Sequence, residues 1–243
     1  MEFVVTSDGS KTLYHPGIGE HYHSRHGAVQ ESRHVFLGMG LHRFVEQHRP
    51  ETVSILEIGF GTGLNFLLSA DYCQQARIML DYTGVEAYPL PIATISQTDY
   101  GKYVHDTLWT SFLSRYVDCL QTPQPMLDGC LLEVFPSRVM QFNTPKRFDV
   151  LYFDAFATVH QPELWTEETL QHVSQYLHPG GIFVTYAITG HLKRTLKGLG
   201  FTVEKLPGAP GKREMLRATK LSAISDGGSH RGHANGHGPA HPA

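Results

Sequence analysis

One acidic residue and three closely spaced glycines give the strongest sign of chemistry in the chain. Glu57 ends an apolar run, and Gly59, Gly61, Gly63 and Asn65 follow it. Glycine permits positive φ and leaves the backbone bare, so a ligand can lie against such a turn. A helix after the turn would direct free N–H groups at the same place. The pattern therefore predicts a ligand-binding turn between a strand and a helix.

The charge and the spacing of this turn favour one class of ligand. Glu57 would repel a pyrophosphate, but it suits a cationic ligand that carries hydroxyl groups and an ammonium group. Leu64 stands where the dinucleotide fingerprint G-x-G-x-x-G has its third glycine. The residues therefore favour S-adenosylmethionine over a nicotinamide dinucleotide. The alternative is a glycine-rich turn that binds no ligand.

Two further acids follow predicted strands. Glu86 can accept hydrogen bonds from both hydroxyls of a ribose, with a solvated charge as the alternative. Asp154 follows the apolar run 150–153 and can orient an amine nucleophile and accept its proton, with capping of the next turn as the alternative. Phe156 and Tyr186 can stack on a base or shield a sulfonium, or they can simply pack in the core.

Alternating strands and helices predict how these residues are positioned. Strands are expected at residues 53–58, 79–85, 130–135, 148–153, 182–187, 201–206 and 214–218. Helices are expected at residues 35–45, from 65, at 89–97 and 108–117, from 167 to a stop at 179–181, and at 191–199. This order predicts an α/β fold with a doubly wound, mostly parallel sheet and an antiparallel C-terminal strand. Ligands of such sheets bind beyond the carboxyl ends of the strands.

The rest of the sequence sets the expected boundaries. Residues 1–30 predict a loop or hairpin extension, residues 31–221 the main domain, and residues 222–243, rich in Gly and His, a disordered tail. The tail histidines are irregularly spaced, so no metal site is predicted. Three cysteines without a C-x-x-C pair indicate a reducing compartment. With no secretory signal pattern and no membrane-spanning run, a cytoplasmic protein is expected.

Several strings of the chain closely resemble the tRNA 5-methylaminomethyl-2-thiouridine methyltransferase family, which comprises stand-alone MnmD and the methyltransferase half of bifunctional MnmC. The most specific are Phe-Gly-Thr-Gly-Leu-Asn-Phe and Lys-Arg-Glu-Met-Leu. The matching segments are residues 57–66, 154–157 with 162–166, 211–216 and, more weakly, 31–37. The resemblance implies a Rossmann-like class I fold and S-adenosylmethionine-dependent methylation of 5-aminomethyl(-2-thio)uridine at the tRNA wobble position. It assigns catalysis to Asp154, and cofactor binding to Glu86 and the glycine turn.

Two departures from the family pattern stand out. Thr158 replaces the proline that usually follows Asp-x-Phe-Ala, and no acid ends the third strand, because Glu133 lies within it. The chain is also too short to hold the oxidase domain of the bifunctional protein. A separate enzyme would then supply the aminomethyl nucleoside.

Charge permits a tRNA partner only through a local surface. The formal net charge is −3, so any attraction to RNA must come from a basic patch. Lys212 and Arg213 lie in a Gly/Pro-rich loop and are the best candidates for backbone contact, while Tyr186 is a candidate for stacking on the wobble base. A solvated charged face is the alternative for these basic residues.

Two other functions remain open at this stage. One is a small-molecule methyltransferase, or an aminopropyltransferase of the same fold. The other is a non-catalytic module that binds S-adenosylmethionine. Replacing Asp154 with alanine distinguishes the second from an enzyme, because an enzyme should keep cofactor binding and lose turnover.

Overall fold

The computed structural model describes residues 1–222, in which the strands form two sheets. The strands are, in chain order, β1 (Glu2–Val5), β2 (Lys11–His15), β3 (Glu20–His21), β4 (Thr52–Ile58), β5 (Met79–Val85), β6 (Gln124–Leu127), β7 (Cys130–Phe135), β8 (Phe148–Phe153), β9 (Leu177–Thr185), β10 (Phe201–Pro207) and β11 (Glu214–Lys220). The small sheet contains β1–β3, and the large sheet contains the other strands.

Helices cover both faces of the large sheet. The α-helices are α1 (Ala28–Ser32), α2 (Arg43–His48), α3 (Leu64–Ala76), α4 (Ile92–Ser96), α5 (Asp106–Cys119), α6 (Glu167–Ser174) and α7 (Gly190–Gly198). A π-helical segment, Arg33–His42, joins α1 to α2. None of the helices in residues 1–222 has the length and apolar character needed to cross a membrane.

The large sheet has the strand order β10-β11-β9-β8-β4-β5-β7-β6. Its five central strands run parallel, whereas β11 and β10 are antiparallel at one edge and β6 at the other. The strand order reverses between β4 and β8, which is where a doubly wound sheet binds its ligand. The predicted fold class, including the antiparallel C-terminal strand, is confirmed.

Alternate residues of the central strands pack on opposite faces of the large sheet. In β8, Val150 and Tyr152 join a core cluster with residues of α3 and α5, whereas Leu151 and Phe153 join a second cluster with residues of α6 and α7. Side chains of a strand alternate with a period of two, so a strand buried on both faces is apolar throughout. Packing on both faces fixes where each central strand ends, and therefore where the residues that follow these strands lie.

Two elements differ from the sequence prediction. Strand β9 begins at Leu177 and α6 ends at Ser174, so the predicted helical position of Leu177 and the strand start at residue 182 were wrong. A register shift between β8 and β9 lets the strand pass through the run 179–181, as glycine at a bulge allows. Strand β6 was not predicted, because it contains Pro125; an edge strand tolerates proline.

The N-terminal residues form more structure than a loop. Strands β1–β3 make an antiparallel sheet, and the first helix begins at Ala28, three residues before the predicted boundary at residue 31. The division of the chain into domains remains a prediction. Of the predicted disordered tail, residues 223–243 lie outside the described residues.

Candidate active site

A cavity of about 580 Å³ lies beyond the carboxyl ends of β4, β5 and β8. Its volume is within the range of about 300–1,000 Å³ that small-molecule sites occupy. Gly59, Glu86 and Asp154, which follow these three strands, all line it. The N-terminal sheet, α1, the loop between β10 and β11 and the segments after β7, β8 and β9 contribute further walls. The cavity therefore lies at the switch point of the sheet.

The glycine turn supplies bare backbone to this cavity. Gly59 and Gly61 line it with φ values of 86° and 53°. A Cβ on Gly59 would collide with the carbonyl oxygen of Asp154, and one on Gly61 would lie 2.9 Å from the ring of Tyr22. Gly63 is the N-cap of α3 and is outside the cavity lining. Two of the three predicted glycines therefore line the cavity, and the third lies at the start of α3, where a Cβ would collide with Phe112 and Phe60.

Glu86 connects the end of β5 to the glycine turn. One carboxylate oxygen accepts a hydrogen bond from Gly61 N at 3.0 Å, and the other accepts from Tyr88 N at 2.9 Å. These bonds hold the carboxylate at the cavity wall. Each oxygen retains a lone pair, so Glu86 can still accept hydrogen bonds from the hydroxyls of a ligand.

Asn65 joins two acids below the glycine turn. Its amide nitrogen donates to Glu57 Oε1 at 2.7 Å and to Asp154 Oδ2 at 2.8 Å. The hydroxyl of Tyr82 donates to the other oxygen of Glu57 at 2.8 Å. An amide NH₂ has two protons, so one side chain can satisfy both acids. Asn65 therefore fixes the orientation of Asp154 from inside the protein.

The structure does not bring Glu57 to the cavity as the sequence suggested. Its side chain is 1% exposed, and neither Glu57 nor Asn65 is among the lining residues. The reason is strand alternation: Glu57 shares its face of β4 with Val53 and Ile55, which pack in the cluster that contains α3. Both residues support the site from behind.

The pKa of Asp154 is far above that of an ordinary aspartate. Burial removes water from the carboxylate, and the negative charge of Glu31 disfavours ionisation further; together they raise the pKa of Asp154 to about 8, although the Asn65 hydrogen bond and the Lys212 charge oppose the shift. Burial, with Asp154 as the next cause, also raises the pKa of Glu57 well above its ordinary value. A carboxylate with a pKa near neutrality can act as a general base.

Aromatic side chains cover the cavity beside Asp154. Phe156 lines it and makes an edge-to-face contact with Tyr22 at 5.2 Å between ring centroids. His15 of β2 lies 6.1 Å from the same ring. The Phe156 carbonyl accepts a hydrogen bond from Trp165 Nε1 at 2.8 Å. Phe156 thus lies in the cavity wall, and its role at a ligand surface remains a prediction.

Tyr186 and Lys212 contact each other in the cavity wall. The Tyr186 hydroxyl donates to Ala155 O at 2.8 Å, and Lys212 Nζ lies 3.5 Å above the centroid of the Tyr186 ring. The same ammonium group is 3.0 Å from Glu31 Oε1. Lys212 therefore faces the cavity, although the sequence suggested a contact with the RNA backbone.

The other basic residues near the last hairpin divide into two groups. Arg213 is exposed and lies outside the cavity lining, and Arg194 of α7 is also exposed. Arg217 is 8% exposed and donates to both carboxylate oxygens of Glu204. Lys205 pairs with Glu214 at 2.8 Å. Arg194 and Arg213 thus present charge to solvent, whereas Arg217 serves the fold.

Sequence reasoning missed several residues of the cavity wall. Tyr22 and Glu31 line the cavity, but no periodic pattern in the sequence indicated that their segments lie against it. Glu31 does belong to the weak family match at residues 31–37. Ser137 follows the third parallel strand, where an acid had been sought. Its hydroxyl is buried and has no hydrogen-bond partner in residues 1–222. A buried group without a partner is available to a ligand.

The charges of the cavity suit a cationic ligand. Lys212 and Arg138 provide its basic side chains apart from histidine. Its acidic side chains are Glu20, Glu31, Glu86, Asp154 and Glu163. With the bare glycine turn and the free Ser137 hydroxyl, this donor and acceptor set fits a sulfonium compound that carries hydroxyl groups. Residues 1–222 contain no cluster of three side chains that could hold a metal ion.

Comparison with known proteins identifies relatives of the chain. A family profile described as S-adenosyl-L-methionine-dependent methyltransferase matches residues 104–221. The bifunctional tRNA 5-methylaminomethyl-2-thiouridine biosynthesis protein MnmC of Pseudomonas savastanoi is 30% identical over 84% of this chain and 33% of its own length. MnmC of Idiomarina loihiensis is 33% identical over 83% of this chain and 36% of its own length. The chain therefore spans about a third of these relatives.

A solved structure shares the fold. The crystal structure of MNMC2 from Aquifex aeolicus superimposes with a TM-score of 0.71 and covers 91% of this chain and 70% of its own. Its sequence identity is 23%. The likeness establishes the arrangement of the strands and helices.

Proposed function

The chain belongs to the S-adenosyl-L-methionine-dependent methyltransferase family, and on that premise we propose that it methylates the exocyclic amine of 5-aminomethyl(-2-thio)uridine at the wobble position of tRNA. The observation that carries this proposal is Asp154, which lies in the cavity beside the glycine turn with a pKa of about 8. Relatives that contain a similar segment are named for the biosynthesis of 5-methylaminomethyl-2-thiouridine, the methylated product of this reaction.

The residues assign separate tasks within the cavity. S-adenosylmethionine supplies an electrophilic methyl group when it is bound. Gly59, Gly61 and Glu86 would hold it, with Phe156 as a covering aromatic residue, because these four line the cavity next to the turn. The adenine-reading residue was not predicted; Ser137 is the lining residue with a free hydroxyl.

Asp154 prepares the amine. An alkylammonium group cannot attack a methyl donor until it loses a proton, because its nitrogen has no free electron pair. The Asp154 carboxylate accepts that proton and keeps the nitrogen hydrogen-bonded, and its pKa of about 8 is near that of the proton donor it must serve. Asn65 keeps the carboxylate in one orientation, because its Nδ2 donates a hydrogen bond to Oδ2 of Asp154 at 2.8 Å. The neutral amine can then attack in line.

The exposed basic residues near the last hairpin supply a tRNA contact in this proposal. Arg213 follows the cavity residue Lys212 directly, so a phosphate bound at Arg213 would adjoin a nucleoside in the cavity. The wobble base would be splayed out of its loop and stack on Tyr186 or Phe156. A separate enzyme would supply the aminomethyl nucleoside. Free thiols at all three cysteines are compatible with a cytoplasmic location.

Methyl transfer to a defined tRNA tests the proposed function. The full-length protein is incubated with labelled S-adenosylmethionine and tRNA from a strain that lacks this methylation, and the nucleosides are analysed by mass spectrometry. Label should appear as 5-methylaminomethyl(-2-thio)uridine at the wobble position. Methyl label in polyamines or other small amines would instead indicate a small-molecule methyltransferase.

The variant Asp154→Asn provides the matched control for catalysis. It preserves shape and should bind S-adenosylmethionine as the wild type does, but lose at least about 100-fold in turnover, because the amide cannot accept the amine proton. Equal turnover of the variant and the wild type would contradict the role of Asp154. Binding of the cofactor without turnover by the wild type would indicate a non-catalytic module.

A further inference from the structure

The ammonium group of Lys212 lies between a carboxylate and an aromatic ring. It lies 3.0 Å from Glu31 Oε1 and 3.5 Å above the centroid of the Tyr186 ring. A carboxylate beside an aromatic face is the arrangement by which proteins bind ammonium groups of ligands. All three residues line the cavity.

The two partners of Lys212 are fixed, whereas Lys212 itself can move. Glu31 is 5% exposed and its second oxygen accepts a hydrogen bond from Ser24 N at 2.8 Å. Tyr186 is anchored by its hydrogen bond to Ala155 O. Lys212 extends a flexible side chain from the loop between β10 and β11, and that side chain is 33% exposed. A lysine ammonium group can leave such a contact without disturbing the fold.

This contact adjoins the reacting residue. Ala155, which accepts the Tyr186 hydrogen bond, directly follows Asp154. After burial, the negative charge of Glu31 is the main cause that raises the pKa of Asp154, and the charge of Lys212 opposes it. A ligand ammonium group bound between Glu31 and Tyr186 would therefore lie within reach of Asp154.

We infer that the Glu31 carboxylate and the ring face of Tyr186 form a subsite for the primary ammonium group of the substrate, and that Lys212 occupies this subsite until the substrate replaces it. The inference rests on the proposed function and names how its site selects an amine. The exchange replaces one ammonium group with another, so the buried Glu31 never lacks a counter-charge. The released Lys212 becomes available to a phosphate of the bound RNA.

The same charges explain selection against acidic side groups. A nucleoside whose amine carries a carboxymethyl group would bring a carboxylate toward Glu31, Asp154 and Glu20, which all line the cavity. Like charges in a partly desolvated site repel strongly. The subsite therefore accepts an aminomethyl group and rejects its carboxymethylated form.

Nucleoside binding to the full-length protein tests this inference without tRNA. The probes are 5-aminomethyluridine and its neutral analogue 5-hydroxymethyluridine, titrated by ligand-observed NMR. Glu31→Gln keeps an oxygen for the Ser24 N–H and should weaken binding of the aminomethyl nucleoside about tenfold or more, while binding of the hydroxymethyl nucleoside stays unchanged. Equal affinities of the wild type for both nucleosides would overturn the inference.

Lys212→Met gives a result of opposite sign. It removes the competing ammonium group but keeps the apolar stem over Tyr186, so binding of the aminomethyl nucleoside should tighten about threefold or more, whereas tRNA binding should weaken. If the Glu31–Lys212 pair only fastened the loop, both variants would weaken both nucleosides alike. That outcome would refute the subsite.

The outcomes separate this inference from the proposed function. If the wild type methylates wobble uridine while Glu31→Gln binds the aminomethyl nucleoside normally, the subsite is refuted and the proposed function stands. If tRNA is not methylated but the two variants shift nucleoside binding in opposite directions, the ammonium subsite stands for another amine substrate.

Discussion

At the scale of the residue, the site contains a carboxyl group whose ionised form is destabilised by its surroundings. Asp154 lies among other acids, with one hydrogen bond from Asn65 and a pKa raised to about 8, mainly by burial. The same environment that makes it a suitable proton acceptor therefore penalises its ionised form in the folded protein. Ionisation of such a buried carboxyl group lowers the free energy of unfolding.

This penalty predicts a pH-dependent gain of stability in Asp154→Asn. The pKa of Asp154 is about 8 in the folded state and 3.8 in the reference state. The unfolded chain therefore releases this proton first as the pH rises, so stability is lost between about pH 4 and pH 8. The variant lacks this loss, and its free energy of unfolding should exceed that of the wild type by more than about 1 kcal/mol at pH 8.

Urea unfolding at about pH 5 and about pH 8 measures this difference. The control variant Asp118→Asn changes an exposed acid on α5 and should leave the free energy of unfolding nearly constant relative to the wild type. A gain for Asp154→Asn that is the same at both pH values would contradict the prediction.

At the scale of the element, the glycine turn links two strands as well as lining the cavity. Asp154 N donates to Ile58 O at 2.9 Å, so the turns after β4 and β8 are bonded to each other. Gly59 lies between them with a φ of 86° and no room for a side chain. The close approach that exposes its backbone to the cavity also fixes the position of Asp154.

Gly59→Ala should therefore damage both stability and ligand binding. The strained φ and the collision with the Asp154 carbonyl should cost about 2 kcal/mol or more of the free energy of unfolding. Binding of S-adenosylmethionine, measured by calorimetry, should weaken at least about tenfold. Gly198→Ala, at the end of α7, is the control: a Cβ there meets nothing within 4 Å. An unaltered affinity in Gly59→Ala would contradict the assigned ligand surface.

At the scale of the whole molecule, the cavity is assembled from distant parts of the chain. Its wall contains Tyr22, Glu31, Asp154, Tyr186 and Lys212. The N-terminal sheet and the last hairpin thus meet over the carboxyl edge of the large sheet. The formal net charge of −3 gives no general attraction to RNA, so in the proposed function the exposed basic residues Arg194 and Arg213 would supply it.

Salt dependence of tRNA binding tests this distribution of charge. Arg194→Ala and Arg213→Ala should each weaken binding, and each should reduce the slope of log K against log salt by about 1 if it removes one phosphate contact. Arg77→Ala removes an equal charge from an exposed residue between α3 and β5, at the amino edge of the sheet, and should have no effect. Equal losses in all three variants would indicate non-specific attraction.

Local pattern was sufficient for much of this protein. The strands β5, β7 and β8 were predicted with their observed bounds, and α6 begins at the predicted residue 167, where the hydroxyl of its N-cap Thr166 accepts a hydrogen bond from Thr169 N. Buried parallel strands and helix caps are specified by neighbouring residues. The family resemblance drawn from the strings around the glycine turn and the last hairpin is confirmed by the matching profile and relatives.

Tertiary structure alone decided which side chains meet. The sequence by itself determined the fold class, the glycine turn and the acids at the strand ends, because these depend on contacts close along the chain. It could not place Glu57 behind the turn or Lys212 on Glu31, because the first depends on which face of β4 is covered by α3 and the second on the docking of segments 181 positions apart. Contacts of this kind are determined by how the elements pack in three dimensions, and no periodic pattern of neighbouring residues predicts them.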